Sequence, residues 1–193
     1  MKFRGHESFF IRKGWIYKGL KNVEIKPDLF TDKKEKPSLI LGIGTNMTKS
    51  LRYWLQALNL TKENKSGKWS QEITQTGKII FENDPYIEEL GSLWILHYML
   101  ATNKELATSW YFFFNEFNLE EFKKQDFVEQ LKKYINMKDP EANIAESSLA
   151  NDFDVLINTY LNKKEILKKE FDPENNIESP LGELNLIGFE NIK

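Results

Sequence analysis

The sequence predicts a mainly α-helical protein that begins with a winged helix-turn-helix, including a small β-wing, and continues as an α-helical bundle. Residues 39–80 read as a short helix, a turn, a longer amphipathic helix and a small hairpin. Residues 86–161 repeat apolar side chains at steps of three and four, the spacing of helices that pack on a core. The two parts also differ sharply in charge, which suggests different surfaces and different partners.

Composition excludes several classes of site. The chain has 193 residues, of which 40% are hydrophobic, enough for one sizeable core or two small ones. It has no cysteine and two histidines, so we expect no disulfide, no metal site and no cofactor. The longest apolar run, residues 93–101, is far below the roughly 20 residues that span a bilayer, and no signal peptide is recognisable. We expect a cytoplasmic globular protein without membrane association.

Charge is distributed unevenly along the chain. Residues 1–80 hold 16 Lys plus Arg against 7 Asp plus Glu, a net charge of +9, whereas residues 81–193 hold 11 against 22, a net charge of -11. A basic segment is expected of a polyanion binder, although a solvated basic surface has the same composition. We therefore predict a basic winged-helix-like domain over residues 1–82 and an acidic all-helical domain over residues 83–193, incomplete at its C terminus.

The first 25 residues interleave five aromatic side chains with Arg and Lys. We expect a helix here, capped by Ser8, and aromatic residues that contribute to the core rather than stack on nucleic acid. His6 and Glu7 form an adjacent acid/base pair. No nucleophile or second ligand stands at a recognisable spacing from them, so we expect no enzymatic activity, and their role is left open.

The helix-turn-helix prediction depends on residues 37–58. Pro37 and Ser38 can open a short helix that reaches residue 43, and Gly42 and Gly44 are expected to supply positive φ angles to the turn. Thr45 or Asn46 then caps the longer helix. The apolar face of that helix consists of Met47, Leu51, Trp54, Leu55 and Leu58.

The opposite face of the longer helix carries hydroxyl, amide and cationic groups, the types that bind phosphates and base edges in a major groove. An ordinary surface helix with a solvated polar face fits the same periodicity. The wing follows, with a turn at residues 65–68, alternation through Trp69, Gln71 and Ile73, and a closing segment at 74–80. The predicted nucleic-acid-binding residues are Thr45, Asn46, Thr48, Lys49, Arg52 and Gln56 on the helix and Lys65 and Lys68 on the wing.

Residues 42–44 also match the start of a dinucleotide-binding loop, but a third glycine and the acidic residue about 20 positions later are missing.

In the acidic half we expect helices over residues 86–102, 105–117, 119–137 and 148–161. The first is apolar on nearly all sides and should be central to a core, with His97 at its boundary. Asp152 and Asp154 are expected on the first turns of the last helix, where carboxylates favour the helix dipole.

Several blocks of the sequence form a recognisable series when they are taken in order: GHESF at 5–9, GW at 14–15, LGIGTNM at 41–47, RYW at 52–54, DPY at 84–86, LWILH at 93–97 and TSWYFFFN at 108–115. With this series the chain resembles a bacterial family known as domain of unknown function number four thousand and seven. Residues 152–160 and 179–181 fit less closely. The resemblance implies no catalytic residues. It does imply that the gene lies beside genes for sulfur-transfer proteins in DNA-modification and phage-defence clusters. It also implies that relatives continue beyond residue 193.

These observations predict a protein that binds nucleic acid, double-stranded DNA in particular, as an accessory or regulatory component. The acidic half would recruit a protein partner or a second copy. The alternative is a protein-interaction subunit whose winged helix packs on another polypeptide and which has no catalytic activity.

Overall fold

The chain is mainly α-helical, as predicted. The computed structural model describes residues 1–66, 69–161 and 179–188, and within them the chain forms eight α-helices, a two-stranded sheet and a short 3-10 helix. In chain order the elements are α1 Trp15–Ile25, α2 Pro37–Leu41, α3 Thr45–Ala57, β1 Thr61–Asn64, β2 Ser70–Ile73, α4 Gln75–Asn83, α5 Leu90–Thr102, α6 Thr108–Asn115, α7 Lys124–Lys138, α8 Glu146–Tyr160 and the 3-10 helix Pro180–Leu184.

The helix predicted in the first 25 residues is present as α1, but the segment before it is not helical, so the predicted cap at Ser8 is wrong. Arg4, Glu7 and Ser8 have positive φ angles of 55°, 49° and 67°, and the backbone forms turns instead. Residues in this left-handed region do not propagate a right-handed helix. The helix begins only at Trp15, after Gly14 at a φ of 78°. The first aromatics still contribute to the core, as predicted, with Phe3, Phe9 and Phe10 packed against it.

The turn between α2 and α3 was predicted in part. Pro37 opens α2, and Gly42 follows it with a φ of 60°, both as expected. Gly44 has a φ of -59°, so the positive φ angle predicted for this second glycine is wrong. Gly44 is the N-cap of α3, and Thr45 is already helical. Neither Thr45 nor Asn46 is therefore the N-cap residue, because the chain enters the helix one residue earlier than the side-chain types suggested.

A hairpin follows α3. Strand β1 pairs antiparallel with β2, with Thr61 opposite Ile73 and Asn64 opposite Ser70. Residues 67–68 of the connection, and with them the predicted phosphate contact Lys68, lie outside the described residues. After the hairpin, the Thr74 hydroxyl accepts the Gly77 amide at 3.0 Å and caps α4.

The buried core is continuous across the predicted domain boundary at residue 82. One cluster of buried side chains includes Trp54 from α3, Trp110 from α6 and Tyr160 from α8. The rings of Trp54 and Trp110 meet edge to face with their centroids 5.4 Å apart. This arrangement joins the basic and acidic halves, and their division into two domains stays a prediction.

Helix α5 is less central than its composition suggested. It buries Leu93, Leu96 and Leu100 but exposes an apolar side formed by Leu90, Trp94, Ile95 and Tyr98. The sequence could not distinguish these two sides because both are apolar. None of the described helices is long and apolar enough to cross a membrane.

Candidate nucleic-acid interface

The start of α3 is an open polar surface. Thr45, Asn46 and Lys49 are all exposed. The Lys49 ammonium lies 3.4 Å from Asn46 Oδ1 and 3.9 Å from a carboxylate oxygen of Glu7. Because Gly44 offers no side chain as a cap, the first backbone amides of α3 share this surface. The positive end of the helix dipole therefore adds to the charge of Lys49.

Thr48 does not belong to this surface. It is 6% exposed, and its hydroxyl donates to the Gly44 carbonyl at 3.1 Å. This back-bond within the helix satisfies the hydroxyl locally. The predicted contact of Thr48 with nucleic acid therefore has no support in the structure, because the side chain faces the protein.

Arg52 and Gln56 are directed to the hairpin. Arg52 donates to one carboxylate oxygen of Glu63 through Nε at 2.8 Å and through a terminal nitrogen at 2.5 Å. Gln56 donates to the same oxygen at 3.0 Å. Glu63 lies on β1, so this network ties the hairpin to α3. It also places a carboxylate against the Arg52 charge, and the arginine is only 27% exposed.

The hairpin contributes a cation and an aromatic ring next to this network. Lys65 is exposed, and its ammonium lies 5.3 Å from the centroid of the Trp69 ring. The guanidinium carbon of Arg52 lies 6.0 Å from the same centroid. Trp69 is 47% exposed. The sequence indicated only that Trp69 alternates with other residues of the second strand. Its place directly after a Lys-Ser-Gly-Lys turn could have predicted that it lies at the turn end of the hairpin.

A buried polar cluster lies behind α3. His6 Nε2 donates to Asp152 Oδ1 at 2.8 Å, and the backbone amide of Arg4 donates to the same oxygen at 2.8 Å. The Ser109 hydroxyl donates to the other carboxylate oxygen at 2.6 Å. His6 Nδ1 accepts the Ser8 amide at 3.2 Å, so the ring proton that meets Asp152 is on Nε2.

These three side chains do not have the order of a serine–histidine–aspartate triad. The Ser109 hydroxyl donates to the Asp152 carboxylate and not to the His6 imidazole. His6 is fully buried, with Tyr53, Trp54 and Trp110 around its ring. Burial, and secondarily the Asp152 charge, raises the pKa of Tyr53.

The prediction for Asp152 was wrong. It is 1% exposed in the seventh position of α8 and is a hydrogen-bond acceptor for the N-terminal segment, not a partner of the helix dipole. Sequence reasoning missed the pairing because 146 residues separate His6 from Asp152.

His97 lies at the boundary of the core, as predicted. Its Nδ1 is 2.9 Å from the Tyr160 hydroxyl, and desolvation by burial lowers the pKa of the imidazole. Burial raises the pKa of Tyr160, so the phenol beside His97 stays protonated. Among the described residues, no group of three or more His, Cys, Asp or Glu side chains is arranged to hold a metal ion.

The fold and this surface define a mainly helical protein with an exposed helix start beside a short hairpin. The chain belongs to the family described as proteins of unknown function (DUF4007), whose profile matches residues 3–193 and confirms the resemblance seen in the sequence. A comparison with curated proteins finds no match.

Two solved structures are similar to the whole described fold. A magnesium-bound crystal structure of SspB is 30% identical, with a TM-score of 0.82 over 95% of this chain and 55% of its own. A second crystal structure of SspB is also 30% identical, with a TM-score of 0.80 over 96% of this chain and 56% of its own. The chain therefore spans about half the length of the solved structures that it matches.

Proposed function

We propose that the protein binds double-stranded DNA as an accessory or regulatory component of a DNA-modification or phage-defence system, with residues 37–73 acting as a winged helix-turn-helix. The order of α2, turn, α3 and hairpin supports this assignment. The observation that carries the proposal is the exposed start of α3, where Thr45, Asn46 and Lys49 stand together beside an uncapped helix N terminus.

In this proposal each group has a defined task. Asn46 and Thr45 reach base edges in the major groove, because amide and hydroxyl groups can both donate and accept hydrogen bonds there. Lys49 and Lys65 bind backbone phosphates, as does Lys68 from the hairpin connection. Arg52 and Gln56 act mainly on the protein, since their bonds to Glu63 hold the hairpin beside α3.

The charge distribution supports the same surface. The first 80 residues have a net charge of +9 and the remainder a net charge of -11. Phosphates would be attracted to the part of the chain that contains α3 and repelled by the helices that follow. In this proposal the acidic helices therefore bind a protein partner or a second copy and not DNA.

The proposal predicts a salt dependence. Each phosphate contact adds about one unit to the negative log-log slope of affinity against salt. Lys49→Ala, Lys65→Ala and Lys68→Ala should each weaken duplex binding and reduce the slope by about one unit. Fluorescence anisotropy with a labelled random duplex, repeated at several salt concentrations from low salt upward, measures both quantities.

Lys132→Ala is the matched control. Lys132 lies on α7 in the acidic half and pairs with Glu146 at 2.6 Å, so its removal should leave the slope unchanged. A double variant of Lys49 and Lys65 with the wild-type slope would contradict the assignment of this surface.

The exposed apolar side of α5 favours a second candidate, a protein-interaction subunit. Leu90, Trp94 and Tyr98 follow one another at steps of four and are 59%, 46% and 63% exposed. Contiguous apolar surface of this kind commonly marks a protein interface. A protein of this class would show no duplex affinity at low salt and would co-purify with a partner, and Trp94→Ser would abolish that association.

A further inference from the structure

We propose that Trp69 is a stacking platform for an unpaired nucleobase, placed beside the duplex that α3 contacts. This inference rests on the proposed DNA binding and adds the structure of the DNA that the site prefers. It is carried by the exposure of Trp69, by the two cations at its ring and by its position next to α3.

Trp69 is one of two tryptophans that are substantially exposed. Trp15, Trp54 and Trp110 are at most 5% exposed, whereas Trp69 is 47% and Trp94 is 46% exposed, and of these two only Trp69 lies beside α3 with cations at its ring. An exposed indole offers a large aromatic face with a preferred stacking geometry, which a ligand ring can cover. Stacking by a base would cover this face, and it requires no particular base because every base has a π-face.

The surroundings of the ring suit a nucleotide. The Lys65 ammonium lies over the Trp69 ring at 5.3 Å from its centroid, and the guanidinium carbon of Arg52 lies at 6.0 Å. Because Arg52 is already paired with Glu63, Lys65 is the cation that the phosphate of a stacked nucleotide would meet. Arg52 is held by Glu63 and stays in place, whereas Lys65 is exposed and can turn toward the phosphate. The backbone of Trp69 is also anchored, because its carbonyl accepts the Thr31 hydroxyl at 2.7 Å.

The position of Trp69 determines which bases it can reach. Arg52 lies one helical turn after Lys49 on the same side of α3, so Trp69 lies along the proposed duplex-contact surface. Bases inside an intact duplex present only their edges, because their faces are stacked on their neighbours. A base that reaches Trp69 must therefore be unpaired, as at a gap or when it is flipped out of the helix.

The test compares an intact duplex with the same duplex carrying a one-nucleotide gap opposite an unpaired base. The protein carries Trp94→Phe, which removes the other tryptophan that is substantially exposed. The gapped duplex should quench the part of the tryptophan emission that comes from Trp69 and bind about 5- to 150-fold more tightly than the intact duplex, the range expected for stacking of one base. Trp69→Ala should abolish this preference, and Trp69→Phe should retain most of it.

The controls separate the two proposals. Trp94→Phe by itself should leave both affinities at their wild-type values. If Trp69→Ala keeps the preference for the gapped duplex, the stacking platform is wrong, while the salt-dependent duplex binding through Lys49 and Lys65 still stands. If the wild-type protein binds neither DNA at low salt, the proposed DNA binding fails and the platform fails with it. Circular dichroism of each variant confirms that the comparison is made between folded proteins.

Discussion

At the scale of single residues, Asp152 connects parts of the chain that are far apart in the sequence. Its carboxylate accepts hydrogen bonds from His6, the Arg4 backbone and Ser109 in a site that is closed to water. The N-terminal segment is thereby attached to α6 and α8, and the same segment meets α3, where the Phe9 carbonyl accepts the Trp54 indole N–H at 2.9 Å. The N-terminal segment thus connects α3, whose start is exposed, to a buried polar network.

Removal of this carboxylate should be strongly destabilising. Asp152→Ala leaves the buried donors of His6 and Ser109 and the partly buried Arg4 amide without an acceptor, and it should lower the free energy of unfolding by about 3 kcal/mol. Urea denaturation measures the change. Asp154→Ala is the matched control on the same helix, because Asp154 pairs with Lys124 at the surface with both side chains about half exposed, and its effect should be far smaller. Equal effects of the two variants would show that the buried cluster does not stabilise the fold.

At the scale of elements, the junction between the hairpin and α4 depends on a close approach of two backbones. A Cβ atom on Gly77 would lie 2.2 Å from the Leu60 carbonyl oxygen, too close for any side chain. Leu60 directly precedes β1, and its carbonyl also accepts the Thr74 amide at 3.0 Å. Gly77 therefore lets the first turn of α4 lie against the base of the hairpin.

Gly77→Ala should separate these two backbones and lower the free energy of unfolding by about 1–3 kcal/mol, the usual cost of overpacking. Gly91→Ala is the control, because a Cβ at this exposed position of α5 meets no atom within 4 Å. Alanine has the higher helix propensity, so this variant should be as stable as the wild type or slightly more stable. Thermal unfolding of both variants checks the prediction, and a wild-type midpoint for Gly77→Ala would contradict it.

At the scale of the whole molecule, one core joins the basic and acidic halves. Trp54 and Trp110 come from opposite sides of the predicted boundary and pack on each other, and His6 lies against both rings. Because the two halves share this core, neither half would retain a core of its own if the other half unfolded.

The shared core predicts one cooperative unfolding transition. Tryptophan fluorescence reports mainly on the core, and far-ultraviolet circular dichroism reports on helices in both halves. The two signals should change at the same urea concentration and fit one two-state curve. Two separate midpoints would instead support independent domains over residues 1–82 and 83–193.

By itself, the sequence determined the helical class, the start of α2 at Pro37, the left-handed Gly42, the position of the hairpin and the family. These features depend on residues that are neighbours along the chain, and apolar periodicity and turn chemistry report them directly. The polar face of α3 was also visible in the sequence, and with it Thr45, Asn46 and Lys49 as exposed candidates.

Only the tertiary structure decided how those candidates are used. It turned Thr48 toward the protein, engaged Arg52 and Gln56 with Glu63, exposed Trp69 beside them and placed Asp152 against His6. It also left one side of the apolar helix α5 open to solvent. The physical reason is common to all of these outcomes, since burial and pairing depend on which elements pack together, and that packing joins residues far apart in the chain.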